Sequence, residues 1–333
     1  MAQPVPARRT AAPDRAVGGV DVAGLFDALS RNVERVIQGK HEQVWLALIC
    51  LFAEGHLLIE DVPGVGKTSL AKALARSIAA TAHRIQFTPD LLPSDVVGVS
   101  VWNRASSEFE FRPGGIFAHV VLADEINRAS PKTQSALLEA MEEHQVTVDA
   151  HTYALPRPFL VLATQNPVEL EGTYPLPEAQ LDRFLMRVPM GYPSHDAEVA
   201  ILETQGTGHE RVDALEPVAS AEAIAAAADA ITLVHVAPAL QAYIVDLVDA
   251  TRRHPDLALG VSPRGALALQ RASRAAAAGA GRDYVVPDDV KALASAVLEH
   301  RMMLAPEAEL RGVDAADVVQ SVLHAVPVPG SGG

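Results

Sequence analysis

The stretch HLLIEDVPGVGKTSLAKALARSIAA, His56 to Ala80, restricts the fold more than any other part of the chain. A short apolar run leads into a glycine-rich loop, and the residues after the loop have helical periodicity. A strand, a tight loop and a helix in that order form the context of a phosphate-binding loop, whose backbone N–H groups point at the phosphates while the helix presents its positive end. Gly64 and Gly66 permit the unusual dihedrals and the close approach. Lys67 supplies a point charge between the outer phosphates and Thr68 a hydroxyl for Mg²⁺. Val62, Pro63, Val65 and Ser69 complete the expected nucleotide-binding segment. The strict pattern G-x-x-x-x-G-K-[ST] wants glycine where this chain has Asp61. A side chain there stands where the turn begins and need not block the phosphates, provided that its carboxylate points away. The alternative is a plain strand-to-helix turn. It leaves unexplained a lysine at a helix start, where the charge opposes the dipole.

Two further apolar runs end in polar groups. VVLADE, residues 120–125, places Asp124 at a strand's carboxyl end, beside the loop in a doubly wound sheet. From there Asp124 can hold Mg²⁺ through water, and Glu125 can orient and polarise the water that attacks a γ-phosphate. The plainer reading is a solvated pair of acids opening a loop. LATQNP puts Asn166 after another run, where a neutral amide can donate to the γ-phosphate or hold the attacking water. Asn-Pro is also ordinary turn chemistry.

These runs are continuous rather than alternating, as in parallel strands buried on both faces. Val20–Val36 and His41–Phe52 have helical spacing before them, broken by Gly39. VSVWNRASSEFEF (Val99 to Phe111) and VTVDAHTYAL (Val146 to Leu155) alternate with period two and predict inserted β-hairpins. From about Gly191 the chain turns alanine-rich and helical, with no strand run. The expected fold is therefore an α/β P-loop NTPase core with a parallel sheet, helices on both faces and hairpin insertions, followed by an all-α domain. The expected divisions are a disordered tail over 1–19, the core over 20–190, the helical domain over 191–325 and a disordered tail over 326–333.

Composition narrows the partners. The 333 residues carry 27 basic and 41 acidic side chains, a net charge of -14, which weighs against nucleic acid. The one cysteine, Cys50, precludes an intrachain disulfide and suits a reducing compartment. The histidines form no zinc-binding pattern. The longest apolar run, Val44 to Ala53, is about half of the roughly 20 residues a membrane span requires. No secretory h-region opens the chain, so a cytoplasmic protein is expected.

One residue of the helical part is physically odd. Ser262 and Pro263 suit an N-cap and a first helical position, so Arg264 falls in the first turn, where a cation opposes the dipole by about 0.3–1 kcal/mol. A bound phosphate would reverse that penalty; a local acid could also pair with it.

DVPGVGKTSLAKALA, VLADEINRASPKTQSALLEAMEE and ATQNPVELEGTYPLPEAQLDRFLMR closely resemble the MoxR family of AAA+ ATPases, in register over about residues 33–190 and more weakly to about 325. Its members often carry an acid before V-P-G-V-G-K-T, so the resemblance makes Asp61 a family variant. It implies ring oligomers, usually hexamers, with ATP at subunit interfaces, and two hairpin insertions like those of the similar magnesium-chelatase ATPase subunits. It also implies that Asn166 is the sensor-1 residue, Arg183 the arginine finger reaching a neighbour's γ-phosphate, and Arg264 the sensor-2 arginine. Arg128 is a second finger candidate, and the bland reading of Arg183 is a surface ion pair with Asp182 or Glu178. Ile37 and Gly39 fall in the segment expected near the adenine. The cofactors expected are ATP and Mg²⁺, and the activity ATP hydrolysis driving chaperone-like remodelling of a client protein. The usual partner of the family has a von Willebrand factor A domain. A DNA motor similar to MCM helicases and an ATP-gated scaffold without turnover are the alternatives.

Overall fold

The computed structural model describes residues 16–60, 66–166, 172–191 and 212–330. The chain divides into two compact units: Ala28–Leu176 with Val188–Ala225, and Met1–Asp27 with Pro177–Arg187 and Ala226–Gly333. Sequence pattern suggests a single crossing near Met190, whereas the chain passes between the units several times. Local bonding accounts for this. The segment after residue 212 is held in the first unit, where Asn32 Nδ2 donates to Glu216 O at 3.0 Å and Val218 N–H to Ser77 O at 2.9 Å.

The first unit is built on a five-stranded sheet. Its strands are β1 (Leu57–Glu60), β2 (Ala82–Gln86), β5 (Val120–Asp124), β8 (Leu160–Gln165) and β9 (Met186–Pro189), in the order β2-β5-β8-β1-β9. The β1–β8, β5–β8 and β2–β5 pairs are all parallel. The three apolar runs of the sequence form the centre, and Leu58, Leu122 and Leu162 are almost wholly buried. Each such leucine contributes about 1.5–3 kcal/mol. Strands β2 and β9 escape sequence reading. AHRIQ lies at an edge with one buried side chain, and MRVP is four residues long.

After α1 (Val22–Glu34), helix α2 (His41–Phe52) is buried at every position from Leu46 to Phe52, which is why that stretch is apolar all round. Helix α3 (Lys67–Ser77) packs against β5. Parallel register aligns the carboxyl ends: Glu60 lies opposite Gln165, and Asp124 opposite Gln86. The two expected hairpins form, β3 (Gly98–Asn103) with β4 (Glu108–Pro113) and β6 (Gln145–Val148) with β7 (His151–Ala154). Phe111 and Tyr153 stack across them with centroids 3.8 Å apart.

The second unit packs helices Pro238–Arg252, Pro263–Gly279, Pro287–Leu298 and Ala315–Ala325. It is not purely helical. Leu257–Leu259 pairs antiparallel with Met303–Leu304, in strands too short to leave a hydrophobic period. The N-terminal tail was expected to run to Gly19, but Val17 bridges Val20 and is buried at 5% exposure, so that expectation fails over residues 16–19. Residues 1–15 lie outside the described residues, as do 331–333; residues 326–330 have no helix or strand. Among the described residues no helix is long and apolar enough to cross a membrane.

Candidate functional site

Helix α3 starts at Lys67, with Gly66 as its N-cap in the left-handed region at φ 92°. A Cβ on Gly66 would meet nothing within 4 Å, so conformation rather than crowding favours glycine here. Thr68 and Ser69 occupy the first turn, which holds no acidic residue, and its N-cap, Gly66, has no side chain to bond its N–H groups. A helix start of this kind is suited to an anion. Val62, Pro63, Gly64 and Val65, with Asp61, lie outside the described residues.

The end of β5 supplies the carboxylates. Asp124 Oδ1 accepts a hydrogen bond from Thr164 Oγ1 at 2.6 Å, and its Oδ2 accepts from Arg84 Nη2 at 2.6 Å and Nε at 3.1 Å. Glu125 is left-handed at φ 57°, and its N–H donates to the same Thr164 hydroxyl at 2.8 Å. One buried hydroxyl therefore fixes both acids, through the side chain of the first and the backbone of the second. Glu125 Oε2 accepts from Gln86 Nε2 at 2.8 Å and from Arg128 Nη1 at 3.0 Å. Arg128 thus bonds to Glu125 of its own chain.

Asn166 follows β8 and is 8% exposed; its carbonyl faces Asn127 Nδ2 at 3.5 Å. The intervening loop is pinned by Gln134, whose amide donates to the carbonyls of Ile126, Ala129 and Tyr174. Ile37 is buried and Gly39 has φ 70°. The next residue, Lys40, sinks its ammonium onto the carbonyls of Met190 at 2.6 Å and Gly191 at 2.9 Å. Arg183 and Arg264 belong to the second unit. Arg183 lies in a turn after the single helical turn Glu178–Leu181, and Arg264 is the second residue of helix Pro263–Gly279. Ser262 has N-cap geometry without a side-chain cap bond, and its hydroxyl donates to Asp182 Oδ2 at 2.8 Å.

Sequence reading missed Arg84, Gln86 and Thr164. Thr164 stood inside a quoted motif, and a hydroxyl one strand over from an Asp-Glu end was the available signal. Arg84 and Gln86 sit on β2, which has too few apolar residues to read as a strand.

A divalent cation and a nucleotide fit this donor set. The Thr68 hydroxyl and the Asp124 carboxylate are hard oxygen donors of the kind Mg²⁺ prefers, and α3 opens without competing acids.

Comparison with known proteins is consistent with this geometry. The model of the ATPase family associated with various cellular activities (AAA) matches residues 56–186, and that of the AAA lid domain matches residues 249–322. Chaperone MoxR1 of Mycobacterium tuberculosis is 41% identical over 90% of this chain and 81% of its own length. Protein MoxR of Methylorubrum extorquens is 32% identical over 93% of this chain and 96% of its own. The chain belongs to the MoxR family of AAA+ ATPases. The uncharacterized protein YeaC of Bacillus subtilis is 54% identical over 93% of this chain and 96% of its own. A solved structure of a Cytophaga hutchinsonii protein assigned as an ATPase superposes with a TM-score of 0.86 at 38% identity, covering 93% and 97% of the two chains. This chain thus has the AAA+ α/β fold with a helical lid.

Proposed function

We propose that this MoxR-family protein hydrolyses ATP to ADP and phosphate in a Mg²⁺-dependent reaction and uses the cycle to remodel or assemble a client protein. The observation that carries this reading is the Thr164 hydroxyl, which holds Asp124 at 2.6 Å and the Glu125 amide at 2.8 Å beside the helix that opens with Lys67 and Thr68. The chaperone role follows the name of the Mycobacterium tuberculosis relative, MoxR1.

In this mechanism the backbone from Val62 to Ser69 cradles the phosphates and Lys67 neutralises their charge. Thr68 and Asp124 are the residues that would hold Mg²⁺, whose charge would offset that of the phosphates. Glu125 orients and polarises the attacking water, and Asn166 holds that water or the γ-phosphate. Arg183, supplied by a neighbouring subunit of a ring, stabilises the charge that develops on the transferred group. Arg264 serves as the sensor-2 arginine. Ile37 and Gly39 line the adenine side. The ring is hexameric and the protein cytoplasmic, with a partner that carries a von Willebrand factor A domain.

The test compares purified variants. Lys67→Ala should lose binding of a fluorescent ATP analogue, whereas Glu125→Gln should keep binding and lose turnover. Wild-type turnover by Glu125→Gln would remove the glutamate from its role.

A further inference from the structure

The turn that carries Arg183 is held by an arrangement that neither hydrolysis nor the fold obviously requires. Arg301 has 2% side-chain exposure and pairs through Nε with Asp182 Oδ1 at 2.7 Å. Its Nη1 donates to Leu185 O at 3.2 Å, to Val297 O and to His300 Nε2 at 2.7 Å. Its Nη2 donates to Asp182 O at 3.2 Å and to Phe184 O. Three carbonyls of the turn, those of residues 182, 184 and 185, therefore converge on one guanidinium. The second carboxylate oxygen of Asp182 accepts from Ser262 Oγ at 2.8 Å, two residues before Arg264. Gly265 makes room for this: a Cβ there would stand 2.2 Å from Val261 Cγ1 and 3.1 Å from Arg301 Cδ.

A buried ion pair contributes little to stability, because desolvation offsets much of its attraction. What it imposes is geometry, since a buried guanidinium tolerates one arrangement of acceptors and resists any other. Here that geometry is spent on the residues flanking Arg183 and on the start of the helix carrying Arg264. Burial, then the Arg301 charge, holds His300 well below the usual histidine pKa. It is therefore neutral and adds no competing cation.

We propose that Asp182, Arg301 and Ser262 form a positioning clasp that fixes the backbone on either side of Arg183, so that this finger is held in one preset orientation for the neighbouring subunit's phosphate. The clasp rests on the reading of Arg183 as a trans-acting finger. Asp182 is the hub, with one oxygen for each of the two elements, and Arg301 is the anchor. The clasp acts through Arg183, so its loss lowers kcat and spares the subunit's own nucleotide binding.

The experiment uses the full-length protein. Asp182→Asn keeps the shape and removes the charge that Arg301 needs. Its kcat should fall about ten- to a hundredfold, the scale of a misplaced catalytic group. KM and the affinity for a fluorescent ATP analogue should stay within about twofold of wild type on this mechanism. Mixing then separates positioning from folding. Asp182→Asn mixed with Glu125→Gln contains interfaces with an intact Glu125 facing an intact Arg183 turn, so part of the activity should return. Asp182→Asn mixed with Arg183→Ala contains no intact finger, so none should return. Should Asp182→Asn fail to fold, Ser262→Ala, which removes one hydroxyl, takes its place in the same mixtures with a smaller loss. Recovery in the Arg183→Ala mixture, or wild-type kcat in the clasp variants beside an inactive Arg183→Ala, would overturn the clasp alone. Wild-type turnover by Arg183→Ala would instead overturn the finger reading and the clasp's role with it.

Discussion

At the residue scale, Thr164 has the largest consequence for its size. Its hydroxyl donates to Asp124 and accepts from Glu125 N–H. Thr164→Val keeps the volume and leaves a buried N–H and a carboxylate oxygen short of a partner. A cost of about 1–3 kcal/mol in stability is expected, together with loss of turnover, and Thr164→Ser should restore both. Urea denaturation and phosphate release measure the two effects. Arg84 makes a different prediction. It holds the same carboxylate that would serve Mg²⁺, and two cations compete for one oxygen. Its side chain is 52% exposed, so the pair is screened and weak. Arg84→Ala should lower the Mg²⁺ concentration needed for half-maximal nucleotide binding by about two- to fivefold, the scale of an exposed ion pair. A Mg²⁺ titration with a fluorescent ATP analogue reads it; an unchanged midpoint would mean that Arg84 does not oppose the metal.

At the element scale, the two hairpins were legible because each alternates with period two along an otherwise continuous α/β pattern. Their turns are less well matched. Asp149 and Ala150 join β6 to β7 with φ 49° and 66°, the left-handed pair of a tight hairpin turn in which glycine is favoured at the second place. Alanine there is strained by its Cβ. Ala150→Gly should stabilise the protein by about 0.5–1 kcal/mol despite adding freedom to the unfolded chain, the strain relieved outweighing that entropy. The midpoint of chemical denaturation should rise, and ATP turnover should not change. Strand β2 was illegible for the opposite reason. An edge strand needs few apolar residues, and Ala82, His83 and Arg84 are all exposed.

At the scale of the whole molecule, stability should respond to mild acid through His300. The folded chain keeps it neutral well below its ordinary value, while the unfolded chain protonates it near 6.5. Throughout that window the unfolded state binds more protons. The contribution is complete above about pH 6.5 and is lost as pH falls, by at most about 1.4 kcal/mol per pH unit for one proton. Glu299 works in the other direction. Burial, partly offset by Arg187, raises its pKa from 4.5, so its term weakens as pH rises. His300→Gln should leave a urea midpoint that falls less than that of wild type between about pH 7 and about pH 5. Equal slopes would exclude His300 as the source.

The sequence alone determined which candidate groups stand at the ends of the three apolar runs and where the two hairpins lie, because those depend on local spacing. A glycine-lysine-threonine loop after an apolar run, Asp124-Glu125 after another and Asn166 after a third can be read without knowing what lies beside them. Tertiary structure decided which groups hold these residues still. Thr164 reaches Asp124 across 40 residues of chain and Arg301 reaches Asp182 across 119. A hydrogen bond closed over such a separation leaves no period and no neighbouring word in the sequence. It is set by the register of parallel strands in the first case, and in the second by helices folding back on a buried guanidinium.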